Sequence, residues 1–219
     1  MIPILYLDES VAVCLKPVGI SSQLDSKSSE NMVEILKKQL SGDIFPIHRL
    51  DQGVGGVMVY ARTQQAAAAL SRAIQNGKFD KQYLCIVRGR PAEAEGIYRD
   101  LLLHDKSRNK SFVVQRVRGG VKEASLEYRM LAADDVCSLI RVRLHTGRTH
   151  QIRVQFASRK TPLLGDGKYG GGNGNIALWS FRIAFPHPRS GKLLSFRHLP
   201  EGAVWERFPP AELSADTEN

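Results

Sequence analysis

At 219 residues and 24.3 kDa, the chain is long enough to enclose one sizeable hydrophobic core. Hydrophobic residues at 42% and charged residues at 24% match soluble globular proteins, and no apolar run approaches the ~18 residues of a membrane helix. Disordered, collagenous and helical-membrane classes are thereby excluded. Thirty-one Lys and Arg against 22 Asp and Glu leave a formal charge of +9, which suits a polyanionic partner, nucleic acid first.

In chain order, residues 4–7 and 11–15 are short β-prone runs parted by Asp8-Glu9-Ser10, an opening hairpin that ends at Lys16-Pro17-Val18-Gly19. Met32, Ile35, Leu36 and Leu40 follow helical spacing from a cap at Ser28 or Ser29 until Gly42. A loop over 48–56 and a strand over 57–61 come next. Thr63 caps a second helix, the Ala-rich run 64–75, with Gly77 just past its end. From Lys81 the pattern turns to strands, over 82–88, 96–103, 111–116, 124–131 and 138–144. Thr149 caps a short helix to about Arg159, a glycine-rich loop follows, and two last strands lie near 177–185 and 192–199. Consecutive strands of this kind predict an α+β fold with a mixed or antiparallel sheet. Neither a repeat nor a linker is visible, so residues 1–208 read as one domain and 209–219 as a flexible acidic tail.

Cys14, Cys85 and Cys137 are odd in number, far apart and each set among aliphatics, which predicts buried, inert thiols and neither disulfides nor a zinc site. The opening ten residues lack a basic n-region, so a cytoplasmic location is expected. Walker A, H-E-x-x-H and G-x-S-x-G runs are absent, and the six histidines have no metal spacing, so neither metal nor cofactor is expected.

Three segments gather chemistry. In His48-Arg49-Leu50-Asp51-Gln52-Gly53-Val54-Gly55-Gly56 a carboxylate sits beside two potential cations, ahead of glycines that let backbone approach a ligand closely; the plainer reading is a turn aspartate bonding its own backbone. Around Arg148-Thr149-His150-Gln151-Ile152-Arg153 a strand runs into a helix start, where Arg148 and free N–H groups suit phosphates and Arg153 faces inward toward an acid; a solvated basic face is the alternative. Tyr83, in Lys81-Gln82-Tyr83, is by periodicity either core or a ring available to stack on a base. The stretch Gly165-Asp166-Gly167-Lys168-Tyr169-Gly170 matches G-x-G-x-x-G but precedes more glycines and no helix, so it reads as a long turn.

Taken in order, His48-Arg49-Leu50-Asp51, Lys81-Gln82-Tyr83, Thr146-Gly147-Arg148-Thr149-His150-Gln151-Ile152-Arg153 and Leu164-Gly165-Asp166 resemble the RluA-type pseudouridine synthase family. The opening through Lys16-Pro17-Val18-Gly19 resembles that family's first motif, so the resemblance runs from Ile4 to about Phe208, with no S4-type module ahead of it. It implies a catalytic domain with a bent, mainly antiparallel mixed sheet that isomerises uridine in RNA to pseudouridine by flipping the base out. Asp51 would be the catalytic carboxylate, Arg153 its salt-bridge partner and Tyr83 the aromatic beside the base. Arg49 would fill the space the nucleotide leaves, with Lys16, His48, Arg148, His150 and Ile152 as substrate-binding residues. Expected partners are tRNA or an rRNA stem-loop, with no membrane, no obligatory protein partner and a monomeric enzyme. A non-catalytic RNA-binding protein with the same basic cleft is the competing reading, and a glycosidase, which wants two carboxylates, fits less well.

Overall fold

The computed structural model describes residues 1–24 and 30–213. In chain order these form β1 (Ile4–Leu7), β2 (Val11–Lys16), α1 (Met32–Leu40), β3 (Phe45–Pro46), β4 (Gly55–Ala61), α2 (Gln64–Gln75), β5 (Asp80–Arg88), β6 (Glu95–Asp105), β7 (Lys110–Val114) and β8 (Val121–Ala133). There follow β9 (Cys137–Leu144), α3 (Gln151–Ala157), a 3-10 turn at Gly167–Tyr169, β10 (Leu178–Pro186), β11 (Leu193–Arg197) and α4 (Pro210–Leu213). The expected α+β class and mainly antiparallel, mixed pairing are observed. Among the described residues no helix is long and apolar enough to cross a membrane. Two compact units divide the chain: residues 1–81 with 179–198, and residues 82–178 with the stretch from Leu199 onward.

In the first unit the strand order is β1-β2-β4-β10, with β3 also on β4 and β11 on β10. Every pair is antiparallel except β4 with β10, which run parallel through Trp179↔Gly55 and Ser180↔Gly56. Val11, Val13, Val57 and Val59 line a core that α2 covers with Ala66 and Leu70. Thr63 caps α2 as the sequence indicated, its side chain accepting from the Ala66 N–H at 3.1 Å, a contact worth ~1 kcal/mol. For α1 the cap is Asn31, whose side-chain oxygen accepts from the N–H groups of Val33 and Glu34. Ser28 and Ser29, expected there, lie outside the described residues.

Gly55 and Gly56 serve packing and not the approach of a ligand. A Cβ on Gly56, whose φ is +123°, would stand 2.3 Å from the Ser180 carbonyl oxygen, and one on Gly55 would stand 2.4 Å from the Trp179 ring. The glycine pair is thus what allows β10 to lie alongside β4. Gly56→Ala is expected to destabilise the protein by about 3 kcal/mol or more, from positive-φ strain and backbone collision together, read as a lowered urea midpoint.

In the second unit the order is β5-β9-β8-β6-β7, with the β5–β9, β9–β8, β8–β6 and β6–β7 pairs all antiparallel. Val154 of α3 packs on Leu102 and Ala124, while Phe156 meets Tyr98 and Tyr128 edge-on at centroid distances of 5.2 and 5.6 Å. Asp100 receives both Gln155 Nε2, at 2.7 Å, and the Arg159 guanidinium, which lies 3.9 Å over the Tyr98 ring. Residues 210–213 make one helical turn that buries Leu213, and residues 214–219 lie outside the described residues. All three cysteines are free and buried, and burial pushes the Cys14 thiol up to about 12, in keeping with inert thiols.

Candidate active site

The carboxylate of Asp51 is carried by a loop that is pinned along its length. Ser22 Oγ donates to the Leu50 carbonyl at 2.8 Å and accepts from the Leu50 N–H at 3.0 Å, and Tyr60 donates to the Ser22 carbonyl at 2.9 Å. The Val54 N–H closes a turn onto the Asp51 carbonyl at 2.9 Å. Gln52 exchanges two bonds with Gly19, its carbonyl accepting at 2.8 Å and its side-chain amide donating at 2.9 Å. That turn is made by the main chain of Asp51, and its half-buried side chain is carried on this fixed frame.

Lys16 supplies that frame from beneath. Fully buried at the end of β2, it donates from Nζ to the carbonyls of Val54 at 2.6 Å, Pro17 at 2.9 Å and Gln52 at 3.3 Å. Burial pulls its ammonium down to about 8, against the opposing pull of the Asp51 carboxylate. A lysine whose folded pKa lies below its unfolded value binds fewer protons in the native state, so stability rises as pH climbs from about 8 to 10.5. Relative to Lys16→Met, the wild type should gain up to about 3 kcal/mol over that window. Urea unfolding of the pair at pH 7.5 and pH 10 checks it; a constant gap between them would contradict the buried charge.

His48 stands at the other end of the loop, with its ring 5.5 Å from that of Phe79 and its Nε2 accepting from the Val59 N–H at 3.3 Å. Burial, aided by the nearby Lys81 charge, pulls the imidazole down to about 3, so it is neutral and carries its proton on Nδ1. Arg49 beside it is exposed.

In the second unit Tyr83 is buried on β5, opposite Val142 of β9. The expected helix start differs in detail. His150 and not Thr149 occupies the cap position of α3, in the left-handed region at φ 54°, with no side-chain capping bond. Gln151 ties the approach instead, accepting from Thr146 Oγ1 at 2.8 Å and the Arg148 N–H at 3.0 Å and donating to the Ser125 carbonyl at 3.1 Å. Arg148 donates from Nε to the Glu123 carbonyl at 2.8 Å, and Ile152 is buried.

Arg153 does face inward toward an acid, and that acid is Asp166. Nε and Nη2 meet its two oxygens at 2.7 and 2.8 Å, with the side chains 7% and 0% exposed. The Tyr169 ring lies 5.1 Å beneath the same guanidinium, while its hydroxyl accepts from the Ser111 N–H at 2.8 Å and meets His150 Nδ1 at 3.0 Å. Asp166 and Tyr169 therefore orient Arg153. Both belong to the stretch that reads as a mere turn in sequence; the signal available was an acid and an aromatic three residues apart, just after a basic helix.

Known proteins resemble the chain closely. A family profile described as RNA pseudouridylate synthase matches residues 10–158. The ribosomal large subunit pseudouridine synthase D of Zymomonas mobilis is 31% identical over 88% of this chain and 67% of its own length, so the chain spans about two thirds of that relative. The tRNA pseudouridine synthase C of Vibrio cholerae is 28% identical over 90% of each chain. Human RNA pseudouridylate synthase domain containing 1 shares the fold, with a TM-score of 0.76 at 20% identity over 92% of this chain and 84% of its own. By profile and by relatives, this chain belongs to the RNA pseudouridylate synthase family, a family of isomerases.

Proposed function

We propose that the protein isomerises specific uridines of tRNA or rRNA to pseudouridine, with Asp51 as the essential carboxylate. The observation that carries this reading is the Asp51 loop, whose main chain is held by Lys16, Ser22 and the bonds to Gly19, so that a half-buried carboxylate is preorganised in a protein of the matching family. The reaction breaks the N1–C1′ bond, turns the uracil and joins C5 to C1′; C5 gives up its proton to solvent and N1 takes one up, so the product is an isomer of the substrate. No electrons change hands and no energy input is needed. Addition of the carboxylate to C1′, addition to C6 and removal of a sugar proton all ask for an ionised aspartate, and Arg153 is the cation proposed to keep it so.

Reaching C5 and N1 within a stem-loop requires the nucleotide to leave its stack, at a cost of a few kcal/mol. Tyr83 is proposed to lie beside the flipped base and Arg49 to occupy the vacated space. Lys16, His48, Arg148, His150 and Ile152 are proposed to support substrate binding. The catalytic domain is taken as residues 1–208, acting as a cytoplasmic monomer on RNA, and the net charge of +9 favours that partner. Relatives named for tRNA and for large-subunit rRNA make both pools the substrates to try. Tritium release from [5-³H]uridine-labelled tRNA and rRNA tests the reading: release from one pool establishes the activity and its RNA class. Tight, salt-sensitive binding without release from either would leave a non-catalytic RNA-binding protein.

A further inference from the structure

Residues 105–122 of the second unit gather six cations against the single acid Asp105, a surplus of five in a chain whose net charge is +9. They occupy the turn between β6 and β7, strand β7 and the crossing from β7 to β8. Elsewhere the fold gives arginines protein partners: Arg159 meets Asp100, Arg182 meets Asp80, Arg189 meets Glu9 and Arg207 meets Asp134. Here it leaves cations unmatched. The side chains of Lys106, Arg116, Arg118 and Lys122 are exposed and have neither an ion pair nor a hydrogen bond among the described residues. The frame beneath them is nonetheless fixed. Asp105 accepts from Ser107 Oγ at 2.7 Å and from the Arg108 N–H at 3.1 Å, Lys168 Nζ donates to the Asn109 carbonyl at 2.8 Å, and the Val121 N–H donates to the Arg118 carbonyl at 3.0 Å. Register brings these anchors to one end of the sheet: Val121 lies opposite Leu103, and Leu103 opposite Phe112, so β8 begins about 10 Å from β7, two strand spacings away. The loop before α3 reaches the same end, where Ser111 Oγ donates to the Thr149 carbonyl at 2.6 Å and Arg148 Nε to the Glu123 carbonyl at 2.8 Å.

We propose that this end of the second unit, through Lys106, Arg116, Arg118 and Lys122, holds the phosphates of a base-paired RNA stem that flanks the target nucleotide. The surface rests on the RNA reading above and deepens it, naming the form of RNA that is gripped and where it lies. Unmatched cations on a fixed frame call for an external anion, and four of them spread across two strand spacings call for a polyanion and not a single ion. A paired stem is favoured over an unpaired strand because proteins hold unpaired strands by stacking bases on aromatic rings. The one aromatic in this stretch, Phe112, has the Lys110 ammonium over its ring at 5.8 Å. In a stem the bases are turned inward, so a surface of cations grips the backbone without reading sequence.

Filter binding of the full chain from roughly 50 to 200 mM salt tests the surface, with unfractionated tRNA as a stem-rich probe and poly(U) as an unpaired one. Wild type is compared with a fourfold variant, Lys106→Gln, Arg116→Gln, Arg118→Gln and Lys122→Gln together. The control carries Lys37→Gln, Lys38→Gln, Arg72→Gln and Lys192→Gln, four exposed cations of the first unit, and so lowers the net charge equally. On tRNA the fourfold variant should reduce the slope of log K against log salt by about 3, so that its affinity falls about 60-fold less than that of wild type over this range. The control should stay within about 1 of the wild-type slope, and on poly(U) the two variants should match. Should the fourfold variant not fold, as judged by its urea midpoint, the pairs Lys106→Gln with Lys122→Gln and Arg116→Gln with Arg118→Gln are measured separately, each expected to lower the tRNA slope by about 1.5. A loss on tRNA no larger than that of the control, or an equal loss on poly(U), overturns the surface. Tritium release by the wild type is scored separately: a slope change without release would keep the stem surface and reject the synthase, and release without a slope change would do the reverse.

Discussion

Asp51→Asn is expected to lower turnover by on the order of 10³-fold or more while leaving RNA affinity equal or higher. Asparagine keeps the shape of the side chain and removes its charge, so every route from uridine to pseudouridine loses its ionised group. The fold should tolerate the change, because main-chain atoms of residues 50, 51, 52 and 54 make the bonds described for this loop, and asparagine leaves them in place. Affinity should not suffer, since a negative charge facing a polyanion is removed. One side effect is predicted nearby: without the Asp51 charge, the Lys16 ammonium loses the interaction that opposes its desolvation, so its pKa falls further below about 8. Tritium release, filter binding and a urea melt on the same preparation separate the three expectations. Residual turnover within tenfold of wild type would remove Asp51 from the chemistry.

Asp166→Ala should cost about 3–5 kcal/mol of stability and abolish turnover as well. The guanidinium of Arg153 is 7% exposed, and Asp166 meets it at two nitrogens above the Tyr169 ring, so truncation takes a two-point ionic contact from a buried cation. The double variant Arg153→Met with Asp166→Leu removes both charges and keeps apolar volume, and it should recover most of the stability but none of the turnover. Recovery of both would mean that the pair serves the fold alone. Failure to recover stability would mean that more than the pair's own desolvation is at stake in that part of the second unit.

The strands were readable in sequence to within a few residues, because short, near-continuous apolar runs are a local property, and β4, β5 and β9 each carry one within seven to nine residues. The α2 cap was equally local: a threonine whose oxygen reaches the N–H three residues on. Features set by distant partners were not readable. The glycines after Asp51 look like room for a ligand until β10, some 120 residues later, is seen lying against them. Asp166 and Tyr169 look like turn residues until Arg153 is seen to need both. Thr149 has the chemistry of a cap, yet His150 takes the position because the chain there bends through the left-handed region. The two-residue β3 is too short to leave any periodic trace.

The parallel join between β4 and β10 has a consequence in time. Ser180 Oγ donates to the Val57 carbonyl across 123 positions of sequence, and the first unit draws its last strands from residues 179–198. On a ribosome adding roughly 5–20 residues per second, the edge of β4 waits on the order of 6–25 s for its neighbour. The second unit has its five sheet strands within residues 80–144, a contiguous stretch that emerges in the interval. Synthesis therefore favours an order in which the middle of the chain sets first and the N-terminal half, though made earliest, is the last to close. Over that interval an unpaired strand edge is open to other nascent chains, and expression at low temperature or with a chaperone that shields such edges should raise the yield of folded protein.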